Sequence, residues 1–160
     1  MQMELNPYAS FQAGKDPVEI LRSTRAHLVT LTERLPAEQL ALRTPVGKWN
    51  AREIVAHLAD CELVFSFRLR QTLGEDNPTL QPFDQDRWAA RYANCDIASA
   101  LGLFGAARHW NVLLIEGAGE AERARKVTHP ERGTMTFWTI VETMAGHDLN
   151  HLRQVERLAE

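Results

Sequence analysis

The chain has 160 residues, of which 44% are hydrophobic and 24% charged, and its formal net charge at pH 7 is −3. This length and composition predict one globular domain with a single core, spanning residues 1–160. The slightly acidic balance, with Lys and Arg scattered along the chain, predicts no nucleic-acid partner and no polybasic membrane patch.

Targeting and redox signals are few. Residues 1–7 lack the basic and apolar regions of a signal peptide, and no apolar run approaches transmembrane length. Cys61 and Cys95 are too few for a disulfide framework. We therefore expect a cytoplasmic protein with no membrane association.

The first half of the chain predicts two long helices after a loosely ordered lead-in over residues 1–15. Asp16 caps the first, Pro17 fits its first turn, and Pro36 ends it. A short helical turn is predicted at 37–41 and a loop at 43–48. Asn50 and Glu53 form a capping box for the second long helix, which runs to Leu73 and stops at Gly74.

The second half predicts a short helix over 84–92 and a third long helix over 97–116, capped by Asp96. Residues 120–133 are charged and contain a proline and a glycine, so a connecting loop is expected before a last helix from about residue 136. Four long helices without convincing alternating strands predict an all-α fold, an antiparallel four-helix bundle. The apolar face expected for the third long helix comprises Leu101, Phe104, Ala107, Trp110, Leu114 and Ile115.

Two histidines of the last helix carry the strongest functional signal. His147 and His151 are four residues apart, which places them about 40° apart on one helical face. They fall within an apolar stripe, so we expect them to face the interior. His57 lies beside the apolar stripe of the second helix. The other members of the last helix's stripe are Ile140, Met144, Val155 and Leu158.

Three imidazoles from two helices predict a divalent metal site at His57, His147 and His151. Neutral imidazoles suit Zn²⁺ or Ni²⁺, and a site with three protein ligands leaves positions open for water or substrate. The alternative is a set of buried, hydrogen-bonded histidines without a metal. No serine nucleophile elbow or phosphate-binding glycine loop competes with the metal as the centre of chemistry.

Polar neighbours supply candidates for supporting and catalytic roles. Asp60 and Glu53 flank His57 by one turn, and Gln154 lies one turn beyond His151. Asp148 points about 100° away from His147, which favours a salt bridge. The candidate general bases are Asp60, Glu53 and His129; His129 lies in the loop before the last helix and can overhang the site.

The remaining candidates favour structural roles. Cys61 follows His57 by one turn and is expected to be a buried, inert thiol. His27 is expected in the core or at the surface, and His109 at the surface or an interface. Several aromatic residues are candidates either for the core or for a pocket near the metal: Trp49, Phe83, Trp88, Tyr92 and Trp138.

The order of four segments resembles the DinB superfamily (DinB/YfiT-like metalloenzymes), which is also similar to the metal-binding domain of mycothiol-dependent maleylpyruvate isomerase. The resemblance covers roughly residues 17–158. The segments are 49–60 (WNAREIVAHLAD), 82–89 (PFDQDRWA), 129–133 (HPERG) and 146–154 (GHDLNHLRQ). It implies a four-helix bundle that holds a divalent ion through His57, His147 and His151, and members are often homodimers.

The resemblance implies a metal-dependent enzyme acting on a small molecule. Some relatives transfer a low-molecular-weight thiol such as bacillithiol, mycothiol or glutathione, and others are assigned as metal-dependent hydrolases; the resemblance slightly favours thiol transfer. The alternative is a non-catalytic, stress-related module that binds a small ligand through its metal. Leu103 and Val112, on other faces of the third helix, indicate a homodimer.

Overall fold

The computed structural model describes residues 4–42 and 48–159. The loop expected at 43–48 lies outside the described residues, apart from Lys48. No helix in the described part of the chain is long and apolar enough to cross a membrane. The elements are α1 (Ala9–Gln12), α2 (Pro17–Arg34), α3 (Ala37–Ala41), α4 (Ala51–Gly74), α5 (Gln85–Ala89), a 3-10 helix (Tyr92–Asn94), α6 (Ile97–Gly117), α7 (Glu120–Arg123), β1 (Lys126–His129), β2 (Gly133–Thr136) and α8 (Phe137–Leu158).

The predicted caps set the starts of the long helices. The Asp16 carboxylate accepts a hydrogen bond from the Val18 amide at 2.9 Å, and Asp96 accepts one from the Ser99 amide at 2.7 Å. The box of Asn50 and Glu53 is complete, because each side chain accepts from the other's amide, at 2.9 and 3.0 Å. These bonds satisfy amides that have no partner within the helix.

The four long helices form a bundle, and the predicted all-α, four-helix class is confirmed; two of the four neighbouring helix pairs are antiparallel, as expected, and two are parallel. Helices α2 and α4 each pack against both α6 and α8, so α2 and α4 occupy opposite corners. The core has two parts. The hairpin-end core, next to β1 and β2, takes in the start of α2, the ends of α4 and α6, and the start of α8. The far-end core takes in the opposite ends.

These two cores fix the helix directions. Helices α2 and α8 start at the hairpin end, whereas α4 and α6 start at the far end. Neighbours α2 and α8 are therefore parallel, as are α4 and α6, and the other two neighbouring pairs are antiparallel. The connection over residues 75–96 must return along the bundle, a distance of about 30 Å for helices of this length. Along this return the buried Tyr92 lies in the 3-10 helix, which packs against α4.

The expectation of a plain loop over 120–133 is wrong. That segment contains α7 and strand β1, which pairs antiparallel with β2 from Lys126↔Thr136 to His129↔Gly133. Only Val127 and Met135 of the hairpin are buried apolar residues. Strands of four residues with one apolar side chain each are too short to show alternation in the sequence.

The buried face of α6 also differs from the expectation. Trp110, assigned to that face, is 64% exposed, and Val112, taken as an indicator of an interface, is buried. The helix instead buries two polar side chains, Arg108 and Asn111. The sequence analysis assigned residues to the buried face because they are apolar. In the bundle these two polar side chains face inward instead, because they pair there with polar side chains of other helices.

The described part of the N-terminal lead-in, residues 4–15, contains a short helix and packs on the bundle, so the expectation of a loosely ordered segment is wrong there. Helix α1 packs against α8, and the chain at Tyr8 crosses α8 where that helix carries Gly146. A Cβ atom at Gly146 would lie 2.4 Å from the Tyr8 carbonyl oxygen, so the absent side chain permits this close approach.

Candidate metal centre

The structure brings the three predicted histidines together. His57 comes from α4 and His147 and His151 from α8, which is its antiparallel neighbour. One ligand nitrogen from each ring lies within 4.8 Å of the others, and all three residues are buried. The ring centroids are 4.5 to 5.1 Å apart.

One pair of nitrogens is spaced as two ligands of a single metal ion are. The Nε2 atoms of His57 and His147 are 3.1 Å apart. Two nitrogens bound to one Zn²⁺ at about 2.0–2.1 Å, with an angle between octahedral and tetrahedral, lie about 2.9–3.4 Å apart. The buried Nδ1 of His147 has no hydrogen-bond partner among the described residues, which is unusual for a buried polar atom. The donor set therefore fits a divalent ion.

Burial keeps the three imidazoles neutral. Desolvation, reinforced by His151, lowers the pKa of His57 to about 3. Desolvation is also the main cause that lowers the pKa of His147 and of His151. A metal binds the unprotonated imidazole, so these neutral rings do not have to release a proton when they bind a metal at neutral pH.

Gln154 orients one ligand as predicted. The Nδ1 atom of His151 lies 2.9 Å from the Oε1 atom of Gln154. Since the amide oxygen is an acceptor, Nδ1 carries the ring proton, and Nε2 keeps its lone pair for a metal.

Asp148 forms the predicted salt bridge, but within a buried network that the sequence did not reveal. Its carboxylate accepts from Arg108 Nη1 at 2.5 Å and from the Thr24 hydroxyl at 2.7 Å. Arg108 also donates to both carboxylate oxygens of Glu62, at 3.0 and 2.7 Å. This network joins α2, α4, α6 and α8 directly behind His147 and holds its backbone in place.

Two aromatic side chains cover the histidines. The Trp49 ring centroid is 4.5 Å from that of His57, and the Tyr8 ring meets His147 edge-on at 5.2 Å. Trp49 was among the predicted pocket aromatics, whereas Tyr8 was missed. No periodicity or spacing in the lead-in relates Tyr8 to α8; the only hint is the glycine directly before His147.

A cavity of about 590 Å³ opens onto this centre. His151 and Gln154 form part of its wall, as do Trp49 and Tyr8, which contact His57 and His147 respectively. Its other charged or polar lining residues are Lys48, Gln85, Asp86, Asn150 and Arg157. The cavity has the size expected for a small-molecule site.

The three candidate bases lie in different surroundings. Glu53 is engaged in the cap of α4. Asp60 lies towards Tyr92, and burial and, after it, the Asp60 carboxylate raise the pKa of that phenol. His129 is buried in the hairpin, where its Nδ1 accepts from the Glu131 amide at 3.2 Å. Their catalytic roles stay predictions.

Cys61 and the other candidates have structural surroundings. The Cys61 thiol lies 3.4 Å from His57 Nε2 but is not one of the three clustered ligands. Burial raises its pKa, as expected for an inert thiol. His27 and His109 are exposed. Phe83 packs on Trp88, and the Trp138 ring lies beneath the Arg123 guanidinium. Within the described residues, none of these three aromatic rings makes a ring contact with the clustered histidines.

Comparisons with known proteins place this site in a family. The model of the DinB superfamily matches residues 20–155, so the chain belongs to that superfamily, as the resemblance implied. A protein of Geobacillus kaustophilus is 32% identical over 92% of this chain and 86% of its own length. One from Oceanobacillus iheyensis is 29% identical over 77% of this chain and 72% of its own length. Both bear the name "Putative metal-dependent hydrolase".

A solved structure shares the fold. YfiT from Bacillus subtilis superimposes with a TM-score of 0.83, covering 89% of this chain and 83% of that chain at 22% sequence identity. It is described as "a probable metal-dependent hydrolase with an unusual four-helix bundle topology". Its likeness agrees with the parallel and antiparallel neighbours of the present bundle.

Proposed function

We propose that this protein is a metal-dependent hydrolase of a small molecule. The observation that carries the proposal is the cluster of three buried, neutral histidines, of which His151 lines a cavity of about 590 Å³. His57, His147 and His151 hold the divalent ion, with Zn²⁺ and Ni²⁺ as the ions that suit an all-imidazole set. The names of the relatives favour hydrolysis over thiol transfer.

The ion, when bound, supplies Lewis acidity, which polarises a scissile carbonyl and lowers the pKa of water towards neutrality. The protein supplies the rest. Gln154 holds His151 in the required tautomer, and the network of Arg108 fixes α8 behind His147. Trp49 and Tyr8 exclude bulk water above the rings, which strengthens electrostatic interactions inside.

Thiol transfer and non-catalytic binding are the competing functions. Both use the same cavity and the same ligands, so they differ only in what happens to the bound molecule. Transfer requires a low-molecular-weight thiol as co-substrate, and a binding module produces no turnover.

Elemental analysis of protein purified without an affinity tag, wild type beside His147→Ala, tests the metal. We expect about one divalent ion per wild-type chain and a large loss in the variant. Turnover is then measured on an ester and amide panel without thiol, and on electrophiles with bacillithiol, mycothiol or glutathione. Thiol-independent ester or amide cleavage supports the proposal. Turnover only with a thiol, or on neither panel, contradicts it.

We also infer that the protein is a cytoplasmic homodimer. Two free cysteines support a reducing compartment. The neighbouring helices α4 and α6 carry most of the exposed large apolar side chains, and Trp110 is 64% exposed. Light scattering after size exclusion should give twice the chain mass for wild type and a monomer for Trp110→Lys. The exposed apolar residues on these helices are Leu63, Phe67, Leu103, Trp110 and Leu113.

A further inference from the structure

We infer that Arg68 and Arg132 form an anion-binding subsite further along α4 from the metal centre, and that the substrate carries a carboxylate or phosphate group that binds there. Arg68 lies on α4 and Arg132 in the turn between β1 and β2. The inference deepens the proposed function by naming a substrate class. It rests on that function only for the claim that the anion belongs to the molecule hydrolysed.

The two guanidinium groups lack counter-ions. Both residues are half-buried, and the Nε atom of each is buried without a hydrogen-bond partner among the described residues. Arg68 donates one hydrogen bond, from Nη2 to the Gln81 carbonyl at 3.1 Å. No carboxylate in the described part of the chain pairs with either residue. Burying a cation without an anion is unfavourable, which predicts an anionic partner.

Other arginines of the bundle show the contrast. Arg108, which is more deeply buried, is neutralised by Glu62 and Asp148. Arg22 pairs with Glu116 and Arg125 with Asp76. Arg108, the arginine that is buried among the described residues, thus has two carboxylate partners, whereas the half-buried Arg68 and Arg132 have none in the described part of the chain.

The subsite lies on the face of α4 that carries His57, about 16 Å further along the helix. Arg68 follows Cys61 by seven residues and His57 by eleven, so it shares their face of α4, and its side chain leans back towards them. Arg68 donates to the Gln81 carbonyl, and the neighbouring Leu80 amide donates to the Thr128 carbonyl of β1 at 2.9 Å, so Arg68 reaches the hairpin that carries Arg132. Burial and, after it, the charge of Arg132 lower the pKa of Arg68, which agrees with this placement.

The hairpin adds a neutral donor. His129 Nδ1 accepts from the Glu131 amide at 3.2 Å, so the neutral ring carries its proton on Nε2. Desolvation and the two nearby arginines lower the pKa of His129, which keeps it neutral. Two fixed cations and one N–H group suit an oxyanion and do not suit a cationic ligand.

Calorimetric titration of metal-free protein with succinate and with inorganic phosphate tests the subsite, with succinamide as the neutral probe. We expect at least one of the two anions to bind wild type and succinamide not to bind. Arg68→Gln and Arg132→Gln should each weaken binding about tenfold or more. If succinate binds more tightly, the group carried by the substrate is a carboxylate; if phosphate binds more tightly, it is a phosphate.

Arg52→Gln is the matched control. Arg52 is also half-buried on α4 with a buried, unpartnered Nε, but it lies sixteen residues, about 24 Å, before Arg68. Its loss should leave the affinity unchanged. Circular dichroism confirms folding, and Arg68→Lys replaces Arg68→Gln if the latter unfolds. The inference is overturned if neither anion binds wild type, or if the Arg68 and Arg132 variants bind the anion as tightly as wild type does. It is also overturned if Arg52→Gln loses as much affinity as those variants.

A kinetic arm separates this inference from the proposed function. With metal-loaded protein, Arg68→Gln should raise the KM for a carboxylate-bearing ester relative to a neutral ester about tenfold, with the metal content kept. Hydrolysis without anion binding overturns the subsite alone. Anion binding without metal or turnover overturns the hydrolase alone and leaves the subsite standing.

Discussion

Gln154 makes one hydrogen bond that decides which nitrogen His151 presents to the cluster. Without this acceptor the ring can adopt the other tautomer and rotate, so fewer molecules have Nε2 ready for a metal. Residues that orient a ligand in this way contribute to affinity without touching the ion.

Gln154→Leu should therefore weaken metal binding about 10- to 100-fold, with little change in folding. Competition against a chromophoric chelator measures the dissociation constant. Asn150→Ala is the control, since Asn150 lines the same cavity but makes no hydrogen bond to a histidine ring within the described part of the chain. Equal affinity of the Gln154 variant and wild type would show that the hydrogen bond has no positioning role.

Arg108 neutralises two carboxylates in the middle of the bundle, where each is almost fully buried. Removing one partner of a buried ionic network leaves uncompensated charge, which costs about 3–5 kcal/mol. Arg108→Ala should lower the free energy of unfolding by that amount, measured by urea titration of metal-free protein.

Replacing the whole ionic set separates pairing from packing. In Arg108→Met combined with Glu62→Leu and Asp148→Leu, no buried charge is left unpaired, so the loss should be much smaller than in Arg108→Ala. Equal losses in both variants would mean that Arg108 contributes through its packing on Phe104, whose ring lies 4.5 Å from the guanidinium carbon.

At the scale of elements, the N-terminal segment depends on one glycine of α8. In Gly146→Ala the new Cβ would meet the Tyr8 carbonyl at 2.4 Å, so the segment with α1 must move away from α8. We expect a loss of about 1–3 kcal/mol in unfolding free energy, as for overpacking, and faster hydrogen exchange across α1.

Gly102→Ala is the matched control within α6. A Cβ there meets nothing within 4 Å, so alanine should stabilise the helix by about 0.5–1 kcal/mol. Mass-spectrometric hydrogen exchange on both variants localises the effect. Unchanged protection of α1 in Gly146→Ala would mean that the segment does not depend on this close approach.

The sequence predicted the long helices because their signals are local. The caps at Asp16, Asn50 and Asp96 lie within four residues of the amides they satisfy. It failed at the hairpin, whose pairing is visible only in three dimensions, and at the buried polar stripe of α6. The side chain of Arg108 is stable inside only because Glu62 and Asp148, distant in sequence, meet it there.

The same distinction applies to the site. His147, His151 and Gln154 were predictable from helical spacing, since residues three or four apart share a face. His57, on another helix, was predicted from its place beside an apolar stripe and from the family resemblance. Tyr8 was not, because it reaches His147 through a crossing of two segments at opposite ends of the chain. The sequence did not point to the proposed anion subsite for a related reason, since Arg132 lies in the turn of a hairpin that the sequence did not predict.

At the scale of the whole molecule, the histidine cluster joins α4 to α8 and makes stability depend on pH. The folded metal-free protein keeps its histidines neutral, whereas the unfolded chain takes up protons as the pH falls below about 6.5. The folded pKa of His57 is about 3, so this histidine stays neutral over most of the acidic range. Lower pH therefore favours the unfolded state.

We expect the free energy of unfolding of metal-free wild type to fall between pH 6.5 and 5, by up to about 1.4 kcal/mol per pH unit for each histidine that stays neutral. His57→Gln removes one of these histidines, so the free energy of unfolding of the variant should fall less steeply with decreasing pH, by up to the contribution of one histidine. Urea unfolding at pH 7.5, 6.5, 5.5 and 5.0 gives the free energy of unfolding of both proteins. The difference between the two proteins removes the contribution of the carboxylates, which both contain. Parallel curves would contradict the depressed pKa of His57, because a residue with its ordinary pKa in both states gives no linkage.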